Sequence, residues 1–449
     1  MTIKEIDYKL LHKVELDLNT IQFNGLDVGN LLSYYFDRLY HNEYNDTLFR
    51  KLALLIYYFV KPWKNKQILK NFNKELIYFR TGAHRHHLNM ESALSESVEI
   101  DNNTLYISPR NNEGVNRTVF LMSSIFNFFE IHYFLLRNFL DINKFINPLA
   151  LPIILKIKLI LDLQLQLLKA NSLKKYIQLQ KSTKLIGADY DRGLESSLFF
   201  AVAKALQIKS FTFQHGVLNP PVGYSPINAD EIWVWGMMAQ KQLIELGVTT
   251  NKIRITGTPI VQDIEISEKI RQSLVQKYQL KSGRTFVLAL SYPNKLNDAK
   301  LVDFFSKVKK NYSMLEDNFF VKIHPARNYN EYKWIKECYN IDLLPPDVPY
   351  QDLMNMLDIL VAHTSGIASE VLYYNKMVAI LDILELSLGN GLELNKYFGV
   401  PILKLPTDFI NIKQVNFSPD KKDILFYKIG FDAKLTIQKT ITSYLNTSN

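Results

Sequence analysis

A run of apolar residues leading straight into a Thr-Ser-Gly turn is the most chemically suggestive stretch of this 449-residue chain. In DILVAHTSGIASEVLYYNKMVAILDI (358–383) a buried strand ends at His363, the turn Thr364-Ser365-Gly366 follows, and a helix opens at once. Open α/β sheets bind ligands at the carboxyl ends of their strands. A helix N-terminus there offers amide N–H groups and a positive dipole end to phosphate. Gly366 lets the backbone come close, and the hydroxyls of Thr364 and Ser365 add hydrogen bonds. Glu370, one helical turn past Gly366, faces the same mouth and can accept from sugar or ribose hydroxyls. The plain alternative is a Ser/Thr N-cap with an exposed glutamate. In FFVKIHPARN (319–328) a second strand ends in His324-Pro325. Its imidazole suits a phosphate oxygen and its proline stiffens the turn, although a purely structural histidine reads the same way.

Two more strand ends carry polar clusters. In FTFQHGVLNPPVGYSPINADEIWVWG (211–236), Gln214-His215-Gly216 stands between a strand and a Pro-rich loop, the look of a cleft wall. Upstream, GADYDRG (187–193) places Asp189 and Asp191 after the strand KLIGA, where a carboxylate can take a proton from a hydroxyl as general base. Of the two, Asp189 comes first after the strand and is favoured as the base; Asp191 is the expected helix cap, and His215 is the rival base. The tract His84-Arg85-His86-His87 has the composition of a metal site. Adjacent histidines on a loop rarely converge on one ion, however, and no cysteine or acidic partner is near. With Arg80 it reads better as a basic loop that binds an anionic glycan or a lipid diphosphate.

The elements that must hold these residues alternate. From about residue 180 the pattern runs strand, loop, helix, strand, through TKLIGA, LFFAVAKALQI, KSFTFQHG, DEIWVWG, MMAQKQLIELG and NKIRITG. A polar helical linker covers 267–284, and a second alternating series follows: TFVLALS, a helix over 298–310, FFVKIHP, a helix over 329–339, DILVAH, a helix from Ser365, MVAILDI and VPILKL. Such alternation predicts parallel sheets with crossover helices. The expectation is an α/β protein of two doubly wound, Rossmann-like domains facing a cleft, 1–265 and 266–449. The first carries extra N-terminal helices over 1–70 and a long helical segment over 116–180, and one or two helices over 421–446 close the second.

Composition narrows the class. Hydrophobic residues make up 47% and charged residues 22%, a globular balance that excludes disordered and fibrous readings. The single cysteine, Cys338, can form neither an internal disulfide framework nor a cysteine metal site, which points to a reducing, cytoplasmic setting. The start of the chain lacks the pattern of a signal peptide. Residues 117–141 contain Glu130, His132 and Arg137, and residues 145–170 contain Lys156, Lys158 and Asp162, so both read as core helices, not spanning ones. The formal net charge of +9 leaves peripheral contact with anionic lipid at the inner face of a membrane open. No clustered Lys/Arg face or stacking motif calls for nucleic acid.

Taken in order, strand-end Gln-His-Gly, DEIWVWG, KIRITGTP, strand-end His-Pro and His-Thr-Ser-Gly-x-x-x-Glu form a series. It resembles GT-B-fold glycosyltransferases of bacterial surface polysaccharide biosynthesis: Kdo transferases, bacterial sialyltransferases and teichoic-acid glycerophosphotransferases. The resemblance covers about residues 180–405. It implies an inverting, metal-independent enzyme without a cofactor. Such an enzyme moves a sugar from a nucleotide-sugar donor, CMP-Kdo or CMP-sialic acid ahead of a UDP-sugar, to a capsule, O-antigen or lipid-linked glycan. His324 with Pro325, and Thr364, Ser365 and Gly366, would hold the donor phosphate, and Glu370 its ribose or sugar. Asp189, Asp191 or His215 would be the catalytic base. Arg80, His84, Arg85 and Gln214 would face the acceptor. A CDP-polyol phosphotransferase is one alternative, and a non-enzymatic basic binding protein is a distant one. Non-hydrolysing nucleotide-sugar 2-epimerases share the Ser-Gly-x-x-x-Glu helix start and a Thr-Gly-containing strand before the linker. They open on a short glycine-rich strand, where this chain opens on helices.

Overall fold

The computed structural model describes residues 7–40, 44, 47–60, 73–81, 85–108, 116–117, 125–214, 216–218, 223–290, 295–312, 314, 316–324, 327–384, 389–412 and 418–446. A hairpin of β1 (Gln22–Phe23) and β2 (Leu26–Asp27) comes first in the chain. The first parallel sheet contains β3 (Leu76–Phe79), β4 (Thr104–Ser108), β5 (Asn116–Arg117), β6 (Leu185–Ala188), β7 (Lys209–Phe213), β8 (Glu231–Val234) and β9 (Ile253–Ile255), in the order β5-β4-β3-β6-β7-β8-β9. The second contains β10 (Thr285–Ala289), β11 (Asn318–Lys322), β12 (Asp342–Leu343), β13 (Ile359–Ala362), β14 (Met377–Leu381) and β15 (Ile402–Leu403), in the order β12-β11-β10-β13-β14-β15. Runs such as LIYF, LIGA and ILVA are buried throughout, as strands covered by helices on both faces must be.

Both sheets reverse direction in the same way. The chain lays down β3, β4 and β5 outward, then returns to place β6 on the free side of β3. Likewise β10, β11 and β12 run outward before β13 returns beside β10. The loops after β3 and β6, and those after β10 and β13, therefore part to opposite sides and open a crevice at each switch point.

The N-terminal extension is helical, as the spacing predicts: α1 (Tyr8–Leu18), α2 (Val28–Tyr40) and α3 (Leu48–Val60). One feature differs. The hairpin interrupts the helices at Asn24-Gly25, whose φ values of 52° and 79° make a two-residue turn of the kind Asn-Gly favours. Between β3 and β6 lie α4 (Arg85–Ser95), α5 (Val98–Asn103), α6 (Ile125–Arg137), α7 (Phe139–Ile146) and α8 (Ile153–Leu179). Arg85 thus opens a helix where a loop was expected. The extension is locked to the first sheet by Arg192, buried just past β6. Its guanidinium meets Glu15 of α1 at 2.8 Å and Asp37 of α2 at 2.9 Å. One cation serves two buried carboxylates, and burial pushes Glu15 up to about 7 despite the arginine.

The remaining helices are α9 (Ser196–Ala205), α10 (Met237–Glu245), α11 (Glu268–Tyr278), α12 (Lys295–Tyr312), α13 (Trp334–Tyr339), α14 (Tyr350–Met356), α15 (Gly366–Tyr373), α16 (Asn390–Phe398), α17 (Pro419–Leu425) and α18 (Gly430–Asn446). After β15 the chain crosses back to the first sheet. The Tyr427 N–H donates to the Trp235 carbonyl at 2.8 Å, and the Thr258 N–H donates to the Lys428 carbonyl at 2.9 Å. α18 then packs on α4, with Lys434 reaching Glu96 and Gln438 donating to the Ala93 carbonyl. Glycine is required at the crossing: Gly257 has φ +84°, and a Cβ there would sit 2.4 Å from the Lys428 oxygen. Among the described residues no helix is long and apolar enough to cross a membrane.

Candidate active site

At the second sheet's switch point, β13 ends at Ala362 and passes His363 into the Thr364-Ser365-Gly366 turn. His363 is buried, and its Nδ1 lies 2.8 Å from the Leu381 carbonyl on neighbouring β14. A carbonyl only accepts, so Nδ1 carries a hydrogen, while Nε2 is buried without a hydrogen-bond partner. The sequence marks His363 only as a strand end; its free nitrogen is a property of the fold. Ser365 holds the N-cap position of α15 with extended backbone (φ −130°, ψ 135°), yet its hydroxyl makes no capping bond. That departs from the plain N-cap reading. Thr364, Ser365 and Gly366 are half-buried, and Glu370 is buried instead of exposed.

His324 stands half-buried just beyond β11, and its carbonyl accepts from the Arg327 N–H at 2.9 Å. β11 and β13 flank β10, so their carboxyl ends are two strand spacings apart, about 10 Å, a span that suits a diphosphate. Pro325 lies outside the described residues. A Cβ on Gly366 would come 3.7 Å from Val217 Cγ1. Val217 follows the carboxyl end of β7, so the carboxyl edges of the two sheets approach each other at this point.

On the opposite wall, at the switch point of β3 and β6, Asp189 is fully buried. It accepts the Thr81 N–H at 2.9 Å and the Thr81 hydroxyl at 2.7 Å, and its Oδ2 lies 2.6 Å from His87 Nδ1. A carboxylate so enclosed cannot itself reach a substrate hydroxyl. It acts on the ring, fixing its orientation through Nδ1. His87, which the sequence shows only as the last residue of the His84–His87 tract, is the less buried member of this pair. It sits in the first turn of α4, 102 residues before its carboxylate.

The other candidates are placed differently from expectation. Asp191 caps no helix; its buried carboxylate accepts the amides of Asn228 and Ala229 at 2.8 and 2.9 Å. Burial outweighs those bonds and pushes it up to about 6. Gln214 does not point at an acceptor. Its Oε1 accepts from the Trp235 amide at 3.0 Å and its Nε2 donates to the Gly216 carbonyl at 3.0 Å, tying β7 to β8. Arg80 is buried and paired with Glu91 at 2.8 Å. His215 and His84 lie outside the described residues. Arg85 and His86 belong to the first turn of α4, and their side chains lie outside those described. Among the described residues no group of three or more His, Cys, Asp or Glu is placed to hold a metal.

No family model and no curated protein matches the chain. Solved structures do. MnaA of S. aureus in complex with UDP matches with a TM-score of 0.50 at 12% identity, covering 84% of this chain and 98% of that one. UDP-N-acetylglucosamine 2-epimerase from Rickettsia bellii matches with a TM-score of 0.51 at 14% identity, covering 83% and 97%. These similarities establish the fold, two Rossmann-like halves of the GT-B type. They also overturn the expectation of a CMP-Kdo or CMP-sialic acid transferase, because the structures matched are a UDP complex and a UDP-sugar epimerase.

Proposed function

We propose that the chain binds a UDP-sugar in the cleft and inverts its configuration at C2 without hydrolysing it, as a nucleotide-sugar 2-epimerase, with residues 1–265 and 266–449 as the two halves of the cleft, save that α18, expected to close the second half, returns to pack on the first. The observation that carries this reading is the approach of the two sheets: the Ser365-Gly366 turn opening α15 comes against Val217, just past the end of β7, and β7 lies beside β6, whose end carries Asp189 with His87. The N-terminal helices no longer speak against it. They precede β3, and β3 still takes the place of the first strand in its sheet, followed at once by Arg80-Thr81-Gly82.

The C2 hydrogen of a sugar is a weak acid, so removing it is eased if the bond from C1 to the nucleotide breaks as the proton leaves. Negative charge then builds on the departing diphosphate. The α15 amides, the Thr364 and Ser365 hydroxyls and His324 are placed to take that charge. His87, backed by Asp189, takes the proton from one face of C2 as the C1–O bond to the diphosphate breaks, leaving a C1=C2 double bond; a proton of solvent origin added to the opposite face of C2 and return of the diphosphate oxygen to C1 give the epimer, and His87 releases its proton to solvent. Substrate and product are isomers, so the reaction involves no net oxidation or reduction.

The test is incubation of the purified chain with UDP-N-acetylglucosamine in deuterium oxide. The reading expects the 2-epimer, conserved total nucleotide sugar, and deuterium at C2. Free UDP accumulating without any epimer overturns it.

A further inference from the structure

The helices that read as core from sequence are core on one side only. α6 and α7 follow each other almost without a break, since the Asn138 N–H donates to the Phe134 carbonyl at 3.0 Å and the Ile142 N–H to the Asn138 carbonyl at 2.9 Å. On their inner side Ile131, Leu135, Ile142 and Ile146 are buried. On their outer side Phe129, Tyr133, Leu136 and Leu140 are 59%, 66%, 63% and 78% exposed. Steps of four, three and four residues line these side chains along one stripe. Ile153, Ile154 and Ile157 are exposed as well at the start of α8. Of the 24 large apolar side chains that stand exposed among the described residues, eight fall between positions 129 and 157. Single exposed apolar residues need no explanation, but such a concentration marks a contact surface.

The charge around the stripe says what it contacts. Within 125–158, Arg137, Lys144, Lys156 and Lys158 outnumber Glu130 and Asp141, in a chain of net charge +9. Long basic side chains can lay their apolar stems on hydrocarbon and raise their charged ends to phosphates. We infer that this face docks flat on an anionic phospholipid surface, held by the aromatic and leucine stripe and by the basic rim. It lies on the bilayer without crossing it, because the inner side of the same helices belongs to the protein core. A second copy packed by two-fold symmetry would instead set the same positive excess against itself. The inference is independent of the reaction proposed above.

Flotation of the full chain with vesicles tests it. The chain should float with vesicles of phosphatidylglycerol and phosphatidylcholine mixed three to one, and far less with pure phosphatidylcholine; 0.5 M NaCl should weaken the binding. Leu136→Glu combined with Leu140→Glu changes two exposed side chains, so the fold is kept, as circular dichroism can verify. That variant should partition at least tenfold less, and Arg137→Glu with Lys144→Glu, which changes two exposed cations, should also reduce binding. Three results overturn the inference: no flotation with either vesicle, equal flotation with both, or binding that survives Leu136→Glu/Leu140→Glu. A concentration-dependent dimer that the same variant abolishes, with no vesicle binding, overturns it in favour of a second copy.

Discussion

His87 Nδ1 and Asp189 Oδ2 stand 2.6 Å apart across the switch point of the first sheet, joining the opening turn of α4 to the end of β6. The carboxylate is fully buried while the ring is not, so in the proposed reaction the inner member orients and the outer one reacts. His87→Gln and Asp189→Asn should therefore each lower turnover by about 10²-fold or more while UDP binding changes little. The Asp189 change preserves volume but puts an amide where Thr81 and His87 need an acceptor. Near-normal turnover in either folded variant removes the pair from the mechanism.

Gly366 faces Val217 with room for one methyl group at ordinary contact distance. Gly366→Ala should leave melting temperature unchanged, whereas Gly366→Phe should fill the space in front of α15 and weaken UDP binding at least tenfold. Calorimetric titration with UDP reads this directly. Unchanged affinity in Gly366→Phe places the nucleotide elsewhere.

Glu15 gives a pH signature. Its folded-state value is about 7, above the ordinary value of 4.5, because it is buried and shares Arg192 with Asp37. Between those two values the folded chain holds a proton that the unfolded chain has released, so the Glu15 contribution to stability rises as pH falls from 7 to 4.5. Urea unfolding of wild type and Glu15→Gln, compared at pH 7.5 and 5.5, should show wild type gaining relative to the variant at the lower pH. The opposite trend would falsify the assignment. Arg192→Leu should cost about 3–5 kcal/mol at neutral pH, since it strands two buried carboxylates.

Gly257→Ala should destabilise the chain by roughly 2–4 kcal/mol, from a positive φ and a clash with the Lys428 carbonyl. Thermal melting measures this. Gly247, whose φ is also positive but whose Cβ would meet nothing within 4 Å, is the control, and Gly247→Ala should cost markedly less.

What the sequence shows is what sits in regular, apolar elements. The strands β6 to β9, β10, β11, β13 and β14 are short apolar runs between turn residues, and their alternation with helices discloses both sheets; β12, only Asp342-Leu343, goes unseen. β4 escapes notice because it follows the polar helix VEIDNN without a turn signal, and β5 is two polar residues that only pairing with β4 makes a strand. α4, RHHLNMESALS, has too few apolar positions to read as a helix; tertiary contact with α18 covers it. The donor-side turn is local, and so legible. The opposing wall is not: His87 and Asp189 belong together only because β3 and β6 pair in register, Phe79 beside Ala188. Burial likewise decides that Asp191 and Gln214 bind backbone and that Glu370 lies beneath the turn, and burial is not a property of spacing.

The return of the chain from β15 to the first sheet has a mechanical consequence. The two halves are joined once by the segment between β9 and β10 and again by the segment at 427–429. A body held at two points keeps one easy freedom, rotation about the line through both, while sliding and pulling apart must strain one connection or the other. Opening and closing of the cleft thus becomes a hinge turning on two pins. A cross-link or tight tag placed near Gly430 would stiffen that hinge without touching either wall.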